Sequence, residues 1–384
     1  MTSGQDRKYQ SPQPVTSVQP PLIILGDDLT GACDAAVAFT TICDSIHVQI
    51  SGKPSSVASV QAITTESRDL PIADAEARIQ NIAARLPPGA ELFKKIDSVF
   101  RGNTIVEIVA TLRYAHFGLA IIAPAYPALG RTVRHGVLHI HDAFEDRTLP
   151  VMERLADTGC SLTTLPADLP TDEVAAILRS SLTKPKPAIL CDAVHQDDLA
   201  RVVGAARSLG TRILWIGSGG LAQAIAAEFP QSNSKPSTLP RTGHTIFFIG
   251  SPHPVTRRQI DHLHQTNRIE EHRPDATQPS ARDLLFQVVL GETSASDIRR
   301  AVAAYDPAQV ACLFMTGGDT AHFVCRALDI QALHLEREFA PGIPLATAEG
   351  GPFDGVSVVL KSGGFGEPDL LCRLLEKCRP EVTA

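Results

Sequence analysis

"LIILGDDLTGACDAAVAF", residues 22–39, carries a run of aliphatics into two adjacent aspartates and then into a helix-forming stretch. The aliphatic run suits a buried strand, and the small residues after Thr30 or Gly31 suit a helix packed close to it. In open α/β sheets, ligands gather at the turns that follow the strands. One aspartate there is enough to cap the helix, worth about 1 kcal/mol. The second needs another purpose. Paired carboxylates accept hydrogen bonds from hydroxyls or hold a metal ion, and one of them can take a proton from an attacking hydroxyl. Asp27 and Asp28 are therefore the candidate catalytic residues.

The rest of the chain repeats this alternation. Strands are expected at 22–25, 46–50, 60–64, 91–96, 118–123, 187–191 and 212–216, with helices at 31–43, 71–86, 103–115, 172–183 and 196–209. Such order favours an α/β fold in two domains, each with a largely parallel sheet flanked by helices and with the ligand site in the cleft between them. The Pro/Ser-rich stretch "QSNSKPSTLPRTG" reads as a linker over 231–243. It separates a domain at 21–230 from one at 244–384, and residues 1–20 read as a disordered tail.

The 384 residues carry 35 Lys and Arg against 42 Asp and Glu, a net charge of −7 that argues against a nucleic-acid surface. No apolar run reaches the ~20 residues of a membrane helix. The eight cysteines include no CxxC pair, which suits reduced thiols in a cytoplasmic protein.

"ELFKKIDSVFRGN", 91–103, is a basic counterpart to the acidic turn. Strand alternation sends Lys94 and Lys95 to opposite faces. Asp97, Ser98 and Arg101 form a polar turn, and Asn103 is the expected cap of the next helix. An Arg fork beside such groups holds a carboxylate or a phosphate, although an Asp97–Arg101 surface pair would be equally ordinary. Arg68 in "TTESRDL" marks another strand end. The loop 123–142, with Gly130, Arg131 and Thr132, is placed to close over a ligand. His135, His139 and His141 lack a metal-ligand spacing and read as solvated.

Four strand exits carry small residues: "ILWIGSGG" (213–220), "IFFIGSPH" (246–253), "LFMTGGDT" (313–320) and "VVLKSGGFG" (358–366). Glycine lets backbone N–H groups approach an anion, and a following helix adds its dipole. None is a Walker loop or a GxGxxG fingerprint. Ser251, Gly317, Gly318, Asp319, Thr320, Ser362, Gly363 and Gly364 are the candidate phosphate-binding residues.

In this order, "GDDLTGACDAA", "FKKIDSVFRGN", "GSPH", "TGGDTA" and "KSGGFG" resemble the four-carbon acid sugar kinase family, from residue 26 to residue 366. The resemblance implies a sugar-acid domain followed by a nucleotide-binding domain, with transfer of the ATP γ-phosphate to the terminal hydroxyl of threonate, erythronate or 3-oxo-tetronate. It implies Asp27 or Asp28, Arg68 and the segment Lys94, Lys95, Ile96, Asp97, Ser98 and Arg101 for the sugar acid. Ser251, Gly317–Thr320 and the turn Ser362–Phe365 would hold ATP with Mg²⁺. Asp319 stands where many members carry Glu, and Gly26 where Ala is usual. Two other readings are a phosphatase of the haloacid dehalogenase type, whose DxDxT spacing is absent here, and a non-catalytic sugar-acid sensor. The partners expected are small molecules, with no nucleic acid or membrane; a homo-oligomer stays open.

Overall fold

The computed structural model describes residues 21–43, 46–50, 60–141, 146–230, 242–266, 269–271 and 283–379. The expected tail and nearly all of the expected linker lie outside these residues.

In the first half the strands are β1 (Leu22–Gly26), β2 (Ile46–Gln49), β3 (Val60–Thr64), β4 (Glu91–Lys95), β5 (Leu119–Ala123), β6 (Arg131–Arg134), β7 (Val137–His141), β8 (Asp146–Pro150), β9 (Ser161–Leu165), β10 (Pro187–Cys191) and β11 (Ile213–Gly217). The helices are α1 (Leu29–Ala36), α2 (Ile72–Ala83), α3 (Thr104–Tyr114), α4 (Val151–Arg154), α5 (Thr171–Ser181), α6 (Gln196–Arg207) and α7 (Gly219–Ala227). The second half adds β12 (His244–Ile249), β13 (Glu270–Glu271), β14 (Leu284–Gln287), β15 (Val310–Thr316), β16 (Ala332–Ala340), β17 (Ile343–Glu349) and β18 (Ser357–Lys361). Its helices are α8 (Pro254–Thr266), α9 (Ala295–Val302), α10 (Gly318–Ala327) and α11 (Leu370–Cys378).

The fold is α/β and largely parallel, as expected, but the two halves share one sheet. Its order is β13-β14-β12-β15-β18-β17-β16-β2-β3-β1-β4-β11-β5-β10-β9. Each half is a parallel set, and the hairpin β16–β17 joins them by pairing β16 antiparallel to β2. That hairpin carries two register shifts. Bulges of this kind strengthen local twist and bend a sheet. Alternation in β12 explains the layers: Ile246 and Phe248 enter one core cluster, Phe247 and Ile249 the other, so both faces are covered.

The loop expected to close over a ligand is instead a small antiparallel sheet, β6-β7-β8. Arg131 lies buried in it, donating to the Leu129 carbonyl. The unit "GSGG" at 217–220 is also no cradle, since Gly219 and Gly220 let α7 pack tightly on Tyr126 and Ala125.

Strand order fixes where ligands belong. The chain leaves β1 for β2 and β3 on one side and for β4 on the other, so a crevice opens between the ends of β1 and β4. In the second half β12 has β14 on one side and β15 on the other, with the same consequence. Helix α1 packs against both β3 and α10, so the two crevices meet at its N-terminus.

Candidate active site

Asp28 begins α1 as its cap, its Oδ1 accepting from Gly31 N at 2.6 Å. Gly26 allows that sharp turn, because a Cβ there would sit 2.7 Å from Ala32 N. Arg68, from the turn after β3, reaches over the acidic pair. Its Nε donates to Asp27 Oδ2 at 2.7 Å and its Nη2 to Asp27 Oδ1 at 2.9 Å, while Nη1 donates to Asp28 Oδ2. Nη2 also lies 3.6 Å from Asp97 Oδ2.

These contacts divide the two carboxylates. Burial alone would raise Asp27, but the Arg68 fork outweighs it and holds the carboxyl below its ordinary range. Asp28 is raised, by burial first and then by the neighbouring Asp27 charge, against the pull of Arg68. Pairs pushed apart in this way supply one fixed anion and one proton acceptor. Asp97 is buried too, yet Arg101 and Arg68 lower it; it accepts from Val99 N, Arg101 N and the Arg101 guanidinium. The Asp97–Arg101 contact is thus half-buried, with Asp97 enclosed and about half of the Arg101 side chain exposed.

The lysines part as alternation requires. Lys94 is fully buried and pairs with Glu107 of α3 at 2.6 Å, and Glu107 also accepts from Ser67 Oγ beside Arg68. Lys94 therefore braces the Arg68 turn from behind and, unlike Arg68, is not in the wall of the cavity described below. Lys95, on the other face, pairs with Asp34 of α1 at 3.2 Å. Burial lifts Asp34 to about 6 against that cation. Asn103 does not cap α3 through its side chain; its amide donates to the carbonyls of Ser67 and Leu70, fixing the same turn.

Across from these groups stands the second half. Gly317 (φ 97°) and Gly318 open α10, whose first-turn N–H groups have no partner within the helix. Lys361, fully buried, donates to Thr256 Oγ1 at 3.0 Å and to the carbonyls of Ser362 and Gly363 at 3.1 and 2.7 Å. It shapes the turn after β18, and burial pushes its ammonium down to about 7. The halves touch: Ser362 Oγ lies 3.3 Å from Thr30 Oγ1, and Gly318 packs directly on Asp28.

Between them lies a cavity of about 440 Å³. Of the expected residues, Asp28, Arg68, Arg101, Ser251, Gly317, Gly318, Asp319, Thr320, Ser362 and Gly363 line it. Asp27 and Asp97 stand behind as the anions that hold Arg68. Lys95, Ile96, Ser98, Gly364 and Phe365 are not in its wall; Gly364 backs onto His253 and Phe365 joins the second core cluster. Sequence reasoning missed Thr30, Asp69, Gly250, Pro252 and Leu290 in the wall. Asp69 had a signal, being the neighbour of Arg68; Leu290 had none. Glu66 was missed as well: it lies 3.5 Å from His322 of α10, and burial, followed by Asp28, Asp319 and Asp27, lifts it to about 8.

The contact between Gly318 and Asp28 yields a test. A Cβ at position 318 would fall 2.7 Å from Asp28 Cβ and overlap its carboxylate. Gly318→Ala is expected to keep the fold, seen as an unchanged circular dichroism spectrum, and to lower kcat/KM roughly a hundredfold by holding the halves apart.

The sequence profile of a sugar-binding N-terminal domain matches residues 22–225, and that of a nucleotide-binding C-terminal domain matches residues 292–371. The D-threonate kinase of Bordetella bronchiseptica is 30% identical, over 93% of this chain and 97% of that one. The D-threonate kinase of Cupriavidus necator is 33% identical, over 90% of this chain and 94% of that one. A crystal structure of a Haemophilus influenzae protein shares the fold with a TM-score of 0.67 at 18% identity, covering 93% of this chain and 98% of that one.

Proposed function

The chain belongs to the four-carbon acid sugar kinase family, and from that premise we propose an ATP-dependent kinase acting on the terminal hydroxyl of a four-carbon sugar acid, with D-threonate the first candidate. The observation that carries this reading is the meeting of the two crevices, where Asp28 faces Gly318 and Thr30 faces Ser362.

The chemistry follows from the wall. The sugar acid's carboxylate lies against Arg101 and Arg68, and its terminal hydroxyl against Asp28. The backbone N–H groups of Gly317–Thr320 and Ser362–Gly363 hold the triphosphate, helped by the dipole of α10. Asp28 accepts the hydroxyl proton as that oxygen bonds to the γ-phosphorus and the bond to the β-phosphate oxygen breaks, releasing ADP. Asp28 and Asp319 both line the cavity, and Asp319 is raised by burial and then by the Asp28 charge, so a divalent cation suits this acidic wall. Mg²⁺ bound there would neutralise phosphate oxygens, held by one or two carboxylates and by the phosphates themselves. Among the described residues no helix is long and apolar enough to cross a membrane, and the setting proposed is the cytoplasm.

A haloacid-type phosphatase would need Asp27 as nucleophile, yet Asp27 stands behind the Arg68 fork and does not line the cavity. The discriminating assay follows ADP release with ATP and Mg²⁺ across D- and L-threonate, D- and L-erythronate and the 3-oxo-tetronates. Turnover is expected with one of them. Binding of a sugar acid without ADP release would replace the kinase reading with a sensor.

A further inference from the structure

The second half lays four turns along the cavity in the order of its strands. Ser362–Gly363 follows β18, Gly317–Thr320 follows β15, Ser251–Pro252 follows β12, and Val289–Leu290 lies just beyond β14. Three strand spacings separate the first from the last, roughly 14 Å. A nucleoside triphosphate laid out end to end can span that distance. The inner end is fixed by the contacts of Gly318 with Asp28 and of Ser362 with Thr30. The phosphorus under attack belongs there.

The outer end has a different chemistry. Val289 and Leu290 are 49% and 48% exposed. Among the described residues the other exposed large hydrophobic side chain is Ile72, on α2 of the first half. Leu290 lines the same cavity as the glycine turns, beside Pro252. The turn is held firmly: Val289 N donates to Thr293 Oγ1 at 2.9 Å, Val289 O accepts from Thr293 N at 2.8 Å, and Val288 N donates to Ile249 O at 2.8 Å. Leu290 is thus an aliphatic side chain held open in the cavity wall among glycines, Pro252 and polar groups, with Val289 exposed beside it.

We propose that Val289 and Leu290 form the shelf for the nucleotide base, with the triphosphate running inward over the β12 and β15 turns to Asp28. This rests on the ATP-dependent reading above and adds the direction in which the nucleotide lies. An aliphatic shelf touches the face of the base and leaves its edge unread, so ADP and GDP bind within about threefold of each other. A phosphate chain without a base gains nothing from the shelf.

Calorimetric titration with ADP and with inorganic pyrophosphate tests this on the full chain. In Leu290→Ala, ADP is expected to bind about tenfold more weakly, while pyrophosphate affinity is unchanged. Leu290→Phe, which keeps an apolar face, retains ADP affinity. Ile72→Ala, the exposed control, changes neither. The shelf is overturned if Leu290→Ala binds ADP as tightly as the wild type, or if it loses pyrophosphate affinity in proportion. A wild-type protein that binds pyrophosphate but not ADP also overturns it. Failure of the wild type to bind either anion, with no ADP release in the kinase assay, would instead remove the nucleotide reading on which the shelf rests.

Discussion

Asp28→Asn is expected to lower kcat roughly a thousandfold while leaving KM for both substrates within a small factor. The amide is isosteric and its oxygen can still accept from Gly31 N, so α1 keeps its cap. What the variant loses is the oxygen that accepts from Arg68 Nη1, where an amide NH2 now stands, and with it a group able to take the hydroxyl proton. The pH profile separates this from a structural effect. Asp28 must be ionised to act, and burial with the Asp27 charge raises it above the ordinary carboxylate value. The wild-type kcat therefore rises with pH through that raised value, and the limb disappears in the variant. Asp27→Asn gives a different signature. Asp27 is bound to the Arg68 fork and does not line the cavity, so its loss disturbs substrate KM as Arg68 shifts. Wild-type turnover in Asp28→Asn would end the assignment of Asp28 as base.

What the sequence made legible follows from burial. Strands β1, β3, β5, β10 and β11 are buried along their whole length, and all but β3 are nearly unbroken aliphatic runs. By contrast "RTVRHGVLHIH" mixes charge, histidine and a glycine turn, because β6 and β7 expose alternate residues in a small sheet. In β16, "ALHLEREFA" mixes apolar and charged residues because the strand is only partly buried beyond Leu335. Its partner β2 lies nearly 300 residues away in the chain, and no local pattern encodes such a pairing.

The site divides along the same line. The acidic pair, Arg68 and the glycine turns announce themselves, since strand ends and residue type suffice to find them. Alternation also shows that Lys94 and Lys95 part company. Their destinations depend on Glu107 and Asp34, which tertiary packing brings to them. Once Glu107 takes the Lys94 ammonium out of the cavity, Arg68 and Arg101 are left as the cations of its wall, and Arg68 alone touches Asp27, Asp28 and Asp97.

Removing that guanidinium should have the widest consequences of any single change. Arg68→Ala leaves Asp27, Asp28 and Asp97 buried together with one shared cation gone. Stranding buried charge in this way costs roughly 3–5 kcal/mol of stability, and kcat/KM is expected to fall more than a thousandfold, because the substrate anion loses a partner as the base loses its orientation. The dependence on pH identifies the cause. In the wild type, burial works against Asp27 and Asp97, but Arg68, with Arg101 at Asp97, overcomes it and lowers both. Their stabilisation is therefore present above the unfolded carboxylate value and lost as pH falls through the lowered folded values. In the variant, burial and mutual repulsion prevail at Asp27 and Asp28, where Lys94 and Lys95 remain but the larger opposing charge, Arg68, is gone. Asp27 then rises above its unfolded value and Asp28 rises further above it, and the penalty is full at neutral pH and vanishes once both states are protonated. The difference in Tm between the two proteins should thus be greatest near pH 7 and shrink steadily toward pH 4. Arg68→Lys should not restore turnover, because its donors share one nitrogen, whereas three separate nitrogens of Arg68 reach the two Asp27 oxygens and Asp28. A Tm difference that stayed constant across this range would assign the loss to packing of the Arg68 side chain, and recovery of activity by lysine would show that charge alone, without the fork, is what the acidic turn requires.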